Sequence, residues 1–169
     1  MPNVRFEAQQ TPGELSPTGA DRLQFLVSTN PGEPPKPMAK IASGGELSRI
    51  MLALKAVLAD EEDTPTLIFD EIDAGISGIT AGKVAEKLRL IGKSRQVICI
   101  THLPQIAAAA DVHFVIRKEA EGHSVQTRIH LLDEEASVGE LARLLGGASV
   151  TEHIVESARE MKELAKSEI

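Results

Sequence analysis

The chain has 169 residues, the size of one domain at roughly 100–200 residues each, and its 42% hydrophobic content excludes a wholly disordered chain. A net charge of −7 and four Phe with no Tyr or Trp argue against a free-standing electrostatic DNA binder and against a base-stacking RNA or single-strand platform. One cysteine leaves no internal disulfide and no cysteine-based zinc site, and neither a membrane-length apolar run nor a signal-peptide pattern after Met1 is present, so a reducing, cytoplasmic compartment is expected.

In chain order, residues 3–8 and 22–29 read as strands, with a turn-rich loop from Thr11 to Gly19 between them. Asn30–Pro37 holds four prolines in eight residues, so it forms neither a helix nor a central strand. A helix starts near Ser43, with Leu47, Ile50, Met51, Leu54, Val57 and Leu58 on one apolar face, and the acidic run 60–63 and Pro65 end it. Leu67-Ile68-Phe69 and Gln96 to Ile100 read as buried strands, separated by a helix over Thr80–Leu90 with Val84, Leu88 and Ile91 on one side. Pro104–Ala110 is a short helix, and Val112–Ile116 and Val125–Leu132 form a strand pair about a polar turn at Glu121-Gly122. Two helices follow, near 137–145 and 150–166, the second opened by the capping-box spacing Ser149-Val150-Thr151-Glu152 and buried along Ile154, Ala158, Met161 and Ala165. Strands alternating with helices in the middle make the fold class α/β, a mixed, mostly parallel sheet flanked by helices.

Four segments carry chemistry. Thr66–Phe69 ends in two adjacent carboxylates, Asp70 and Glu71, at the carboxyl end of a strand, where open α/β sheets bind ligands. One carboxylate can hold Mg²⁺ through its water shell and the next can orient a water toward a phosphoryl group, although a strand leaving into a polar turn looks the same. Ser43-Gly44-Gly45-Glu46 opens a helix whose free N–H groups suit an anion. It also satisfies a capping box, but two first-turn glycines cost about 1 kcal/mol each against alanine, which a pure cap has no reason to bear. Thr101-His102 follows the second central strand, and Asp73-Ala74-Gly75-Ile76-Ser77-Gly78 makes a glycine-rich turn with Ser77 or Thr80 as helix cap.

Together these segments resemble the ABC-type ATPase motifs: Ser43–Glu46 the signature, Leu67–Glu71 a Walker B strand with its catalytic glutamate, Asp73–Gly78 the D-loop and His102 the switch histidine. The strings Ala42–Lys55, Phe69–Gly78 and Thr101–Ala107, with Asn30–Pro34 ahead of them, closely resemble the RecN family of bacterial SMC-like proteins of DNA double-strand-break repair. The resemblance covers nearly the whole chain. It implies a P-loop NTPase fold of the ABC/SMC head type, with residues 1–169 as its C-terminal lobe. No G-x-x-x-x-G-K-[ST] loop occurs in the 169 residues, so the Walker A lobe, the Q-loop and the coiled coil would belong to an N-terminal part of a longer protein.

The resemblance further implies ATP and Mg²⁺ as cofactors, with Asp70 on the metal and Glu71 and His102 as catalytic residues. Ser43, Gly44, Gly45 and Glu46 would contact the nucleotide held by an opposing head, and Asp73 would communicate across that dimer. Its partners would be the N-terminal lobe of the same protein, a second head in an ATP-sandwiched homodimer, and DNA through the full-length protein at the nucleoid, with no membrane. Lys83, Lys87, Arg89, Lys93 and Arg95 form a basic cluster where DNA could touch, although a solvated helix face reads the same way. Two other readings stand beside this one: a non-enzymatic dimerisation or partner-binding module, and a metal-dependent hydrolase built on Asp70, Glu71, Asp73 and His102.

Overall fold

The computed structural model of the chain describes residues 4–29, 32–41, 43–58, 64–121 and 124–167. Its elements run β1 (Arg5–Ser16), β2 (Gly19–Ser28), β3 (Lys36–Pro37), a 3₁₀ turn (Met38–Lys40), α1 (Gly44–Val57), β4 (Thr66–Phe69), α2 (Gly78–Gly92), β5 (Gln96–Cys99), α3 (Pro104–Ala108), β6 (His113–Glu121), β7 (Ser124–Leu132), α4 (Glu134–Gly146) and α5 (Glu152–Ser167). The expected single, mostly parallel sheet is corrected: the described strands form three separate ladders, β1-β2-β3 antiparallel, β4-β5 parallel and β6-β7 antiparallel, because only β4 and β5 are joined by a helical crossover while the other pairs follow short connections.

The first hairpin is longer than expected. Strand β1 continues to Ser16 through the segment read as a loop, with a register irregularity between Pro12 and Ser16. Pro12 is tolerated because β1 pairs on one side only and a missing N–H costs nothing at an open edge. Lys36-Pro37 adds two residues to the other side of β2, so the proline segment supplies an edge strand. Asn30, Pro31, Ala42, the acidic run 60–63 and the turn residue Gly122 lie outside the described residues.

The main core lies between β4-β5 and the helices α1 and α2. Leu52, Leu67, Phe69, Ile72, Ala81, Val84, Ala85, Leu88, Ile91 and Ile106 form one buried cluster. The α2 face matches the expected spacing, since Val84, Leu88 and Ile91 all point inward. The α1 face does so only in part. Ile50 is buried and Met51 and Leu54 are half-buried as expected, whereas Leu47, Val57 and Leu58 are exposed and Leu52, outside the expected face, is buried in the cluster with β4 and α2, because α1 is apolar on more than one side. The two central strands are likewise buried on one face only. Side chains alternate across a strand, and helices cover just one side, so Ile68 is 68% exposed, Ile98 44% and Ile100 49%.

A second core joins α3, α4 and α5 through Ala107, Ala108, Val138, Leu141, Ala142 and Ala158. Helix α4 starts earlier than expected because Asp133 caps it, its Oδ1 accepting the Ala136 N–H at 2.8 Å. Helix α5 starts later, at Glu152. Ser149 belongs to the turn that closes α4, its N–H donating to the Gly146 carbonyl at 3.3 Å, and so does not cap α5. Gly139 lies within α4 with open space where a Cβ would stand. Gly139→Ala is therefore expected to stabilise the chain by about 0.5–1 kcal/mol and raise Tm by about 1–4 °C, a gain that thermal melting would show and a lowered Tm would refute.

The seam between these helices is polar. Lys162 is 7% exposed and donates to Ser137 Oγ, and Ser137 in turn lies 2.8 Å from His113 Nδ1. Lys162 also pairs with Glu134 at 3.4 Å, while Arg143 grips the buried Glu140. Burial and the Lys162 charge together hold the His113 imidazole below its ordinary 6.5, with Glu140 opposing them. The unfolded chain takes up this proton near 6.5 and the folded chain only at lower pH. The contribution is thus complete above that value and is lost on acidification through the window beneath it. Urea midpoints at about pH 7.5 and 5.5, on either side of the ordinary histidine range, are expected to fall with acid, and less steeply in His113→Gln. Equal slopes in the two proteins would refute the assignment.

Candidate active site

Strands β4 and β5 run parallel in register, Phe69 opposite Cys99, and the Ile100 N–H donates to the Phe69 carbonyl at 3.0 Å. This places Asp70-Glu71 and Thr101-His102 side by side at one end of the sheet. Asp70 and Glu71 are both exposed. Asp70 Oδ1 accepts the Glu71 N–H at 2.8 Å, and Glu71 takes φ 55°, a left-handed conformation costly for a residue with a side chain. Cys99, the last residue of β5, is partly buried with Asp70 and Asp73 nearby. Desolvation first, then the two carboxylates, push its thiol up to about 12, so it stays protonated and inert.

Helix α1 approaches the same end. Ser43 is its N-cap, accepting the Glu46 N–H at 3.4 Å, as the capping-box spacing requires. The two glycines have a packing reason inside the chain. A Cβ on Gly45 would meet Ala74 Cβ at 2.7 Å and the Glu71 and Ala74 carbonyl oxygens at 2.8 and 3.0 Å. A Cβ on Gly44 would meet Glu71 Oε2 at 2.6 Å. Close packing alone therefore accounts for both glycines, and their cost in the first helical turn does not by itself point to an anion. The same contacts bring the Glu71 carboxylate against the start of α1.

Two residues that sequence reasoning missed tie α1 to the strand exit. Ser48 Oγ donates to the Asp70 carbonyl at 2.9 Å, and one Arg49 guanidinium nitrogen donates to the Ile72 and Ala74 carbonyls at 3.0 and 2.7 Å. Burial draws the Arg49 guanidinium below its ordinary value, against the pull of Glu46 and Asp73. The available signal was a Ser-Arg pair two residues past the glycine-glutamate cap, a polar pair on an otherwise apolar stretch.

Asp73 lies between the Ile72 and Ala74 carbonyls that Arg49 grips, and is 3% exposed. Its Oδ2 accepts from Thr101 Oγ1 at 2.6 Å and from the His102 N–H at 2.7 Å, and stands 2.9 Å from His102 Nδ1. Desolvation alone would raise this carboxyl, but the hydrogen bonds from Thr101 and His102 and the His102 charge outweigh it and hold the group below the ordinary carboxylate range. Ser77, by contrast, occupies the N-cap position of α2 without a side-chain hydrogen bond. The basic residues Lys83, Lys87 and Lys93 are exposed on or after α2, while Arg89 is half-buried beside Lys162 and Lys166.

The fold that brings two carboxylates and a histidine to neighbouring parallel strand ends beside a glycine-opened helix has a solved counterpart. The Smc head domain with a coiled coil and joint from Pyrococcus yayanosii aligns with a TM-score of 0.57 at 22% identity, covering 82% of this chain and 25% of that one. The fold is accordingly that of the C-terminal lobe of an ABC/SMC-type head. In sequence, the chain is 48% identical over 157 residues to the DNA repair protein RecN of Vibrio cholerae, 50% over 149 residues to that of Halalkalibacterium halodurans and 43% over 166 residues to that of Haemophilus influenzae. These alignments cover 93%, 88% and 97% of this chain, and 28%, 26% and 30% of the relatives. Over the matched residues the chain belongs to the RecN family, and it spans little more than a quarter of the length of these relatives. No family model matches it.

Proposed function

We propose that residues 1–169 are the C-terminal lobe of the ATP-binding and hydrolysing head of a cytoplasmic, nucleoid-associated SMC-like protein that acts in recombinational double-strand-break repair. The observation that carries the reading is the convergence of exposed Asp70 and Glu71, the Asp73-anchored His102 and the N-terminus of α1 at one sheet end. The RecN relatives supply the repair context.

The donor set suits Mg²⁺ arriving on phosphates. Among the described residues no group of three or more His, Cys, Asp or Glu is placed to hold a metal, which argues against a zinc-type cage and against the metal-dependent hydrolase reading. Asp70 offers one exposed carboxylate, the small protein share that a largely hydrated Mg²⁺ takes. Mg²⁺, when bound, would neutralise charge on the phosphates. Glu71 would hold the attacking water and accept its proton, and His102 would donate to the γ-phosphate. Ser43, Gly44 and Gly45, with Glu46 closing the cap, would face a nucleotide on an opposing head. ATP-driven closure and release would form a two-state switch.

Partner requirements follow from the bare faces. The uncovered side of β4-β5 shows Ile68, Ile98 and Ile100, and one side of the β6-β7 hairpin shows Phe114, Ile116, Ile129 and Leu131. Apolar surface of this kind calls for a cover, and the N-terminal lobe is the natural one. A purely partner-binding module has no use for a glutamate strained at a strand end beside an anchored histidine. Co-expression of Glu71→Gln with the N-terminal part that the relatives carry, followed by size-exclusion chromatography with light scattering, is expected to show a doubled mass on adding ATP. An unchanged mass would contradict head closure.

A further inference from the structure

Among the described residues, Glu71 is the one non-glycine residue at positive φ, 55°. Such a backbone is costly for a residue with a Cβ and persists only where its surroundings over-determine it. Two bonds lie within the turn itself: Asp70 Oδ1 accepts the Glu71 N–H at 2.8 Å, and the Glu71 carbonyl accepts the Ala74 N–H at 3.0 Å. These would travel with the turn and do not fix it against the fold. Asp73 ties the far side of the turn to the end of β5, its Oδ2 accepting from the Thr101 hydroxyl and the His102 backbone N–H.

The residues directly on either side of Glu71 are held by α1. Ser48 Oγ donates to the Asp70 carbonyl at 2.9 Å, and Arg49 donates to the Ile72 carbonyl at 3.0 Å and to the Ala74 carbonyl at 2.7 Å. Gly45 brings the same helix against the Glu71 carbonyl itself, which lies 2.8 Å from a would-be Cβ. Arg49 is a costly choice for packing. Burial lowers its guanidinium pKa, its Nε is buried without a hydrogen-bond partner, and the bonds it makes at Ile72 and Ala74 go to uncharged carbonyls. What it supplies is a grip on two points of the turn from one nitrogen, which fixes the direction of the turn as well as its distance from the helix.

We propose that Ser48 and Arg49 are positioning residues for Glu71. From one turn of α1 they hold the strand exit in the conformation that sets the Glu71 carboxylate against the start of that helix, where its Oε2 lies 2.6 Å from a would-be Cβ on Gly44. A displacement of α1 is thereby passed to Glu71, so a ligand at Ser43-Gly44-Gly45 and the glutamate beside it respond together. The catalytic half of this rests on the reading of Glu71 given above.

A residue at positive φ brings its own amide hydrogen and Hα close together, so the intraresidue amide–Hα Overhauser effect in the 169-residue chain reads the Glu71 backbone directly. Wild-type Glu71 is expected to give a strong effect. The Ser48→Ala/Arg49→Met double variant is expected to reduce it to the level of ordinary residues, and each single change to reduce it in part. Ser48→Thr and Arg49→Lys keep a donor and are expected to retain it. A weak effect in the wild type overturns the proposal even if the variants fail to fold. So does an undiminished effect in a folded double variant or, where that variant does not fold, in Ser48→Ala.

For the reaction, the chain combined with its relatives' N-terminal part is expected to lose about 10–100-fold in kcat in the double variant, with KM within about threefold and a partial rescue in Ser48→Thr/Arg49→Lys, as a misplaced but chemically intact glutamate requires. A reduced Overhauser effect with undiminished kcat would overturn the catalytic role of Glu71, and with it that part of the functional reading, while leaving the positioning assignment standing.

Discussion

Glu71→Gln is expected to lower ATP turnover by the reconstituted head about 10²–10³-fold while leaving nucleotide binding within a few-fold of wild type. Glutamine has the same length and shape, so it fits the gap beside Gly44, where the Glu71 carboxylate comes within 2.6 Å of a would-be Cβ position. What it loses is the ability to accept a proton from a water. The backbone at this residue has φ 55°, a strain of about 1–3 kcal/mol for a side chain of this kind, and glutamine bears it equally. Stability should therefore stay level, and a loss of turnover would report chemistry alone. Single-turnover hydrolysis alongside nucleotide binding would measure both quantities. Turnover within a few-fold of wild type would remove Glu71 from the centre of the mechanism.

Gly45→Ala is expected to destabilise the chain by about 1–3 kcal/mol, the usual range for forcing a methyl into a filled site. Helix propensity pulls the other way, by about 1 kcal/mol in favour of alanine. Packing decides the sign, because two of the three atoms in the way are the carbonyl oxygens of Glu71 and Ala74, at 2.8 and 3.0 Å, and backbone gives little. To admit the methyl, α1 must back away from the turn that carries Glu71 and Asp73, stretching the bonds from Ser48 and Arg49. A Tm lower by about 3–10 °C is the expected reading, opposite in sign to Gly139→Ala. If Gly45→Ala melted at or above the wild-type temperature, the close fit of α1 on the turn would be wrong.

The parts of the fold that were readable from sequence are those whose cause is local. Helix α2 repeats its apolar residues with the helical period, Ser43 and Glu46 stand at capping distance, and β6 and β7 are two strand-like runs joined by a short polar turn. The site was readable for a similar reason, since an apolar run ending in Asp70-Glu71 and another ending in Thr101-His102 must come side by side once β4 and β5 pair. What was not readable depends on distant partners. Ile68, Ile98 and Ile100 are apolar enough to be buried, but composition does not say whether anything covers them. Ser48 and Arg49 act on carbonyls more than twenty residues away, and no periodicity marks them. Asp73 reads in sequence only as the start of a glycine-rich turn, and the pairing of its carboxylate with the Thr101 hydroxyl and the His102 backbone N–H explains its burial.

The measurement that tests the account most directly is Mg²⁺-dependent ATP hydrolysis by the 169-residue chain alone and after co-expression with the N-terminal part that its relatives carry. The account predicts no turnover by the chain alone and turnover on reconstitution. Hydrolysis by the isolated chain at a comparable rate, abolished by Glu71→Gln, would contradict it, because phosphate binding would then not require the loop that these residues lack.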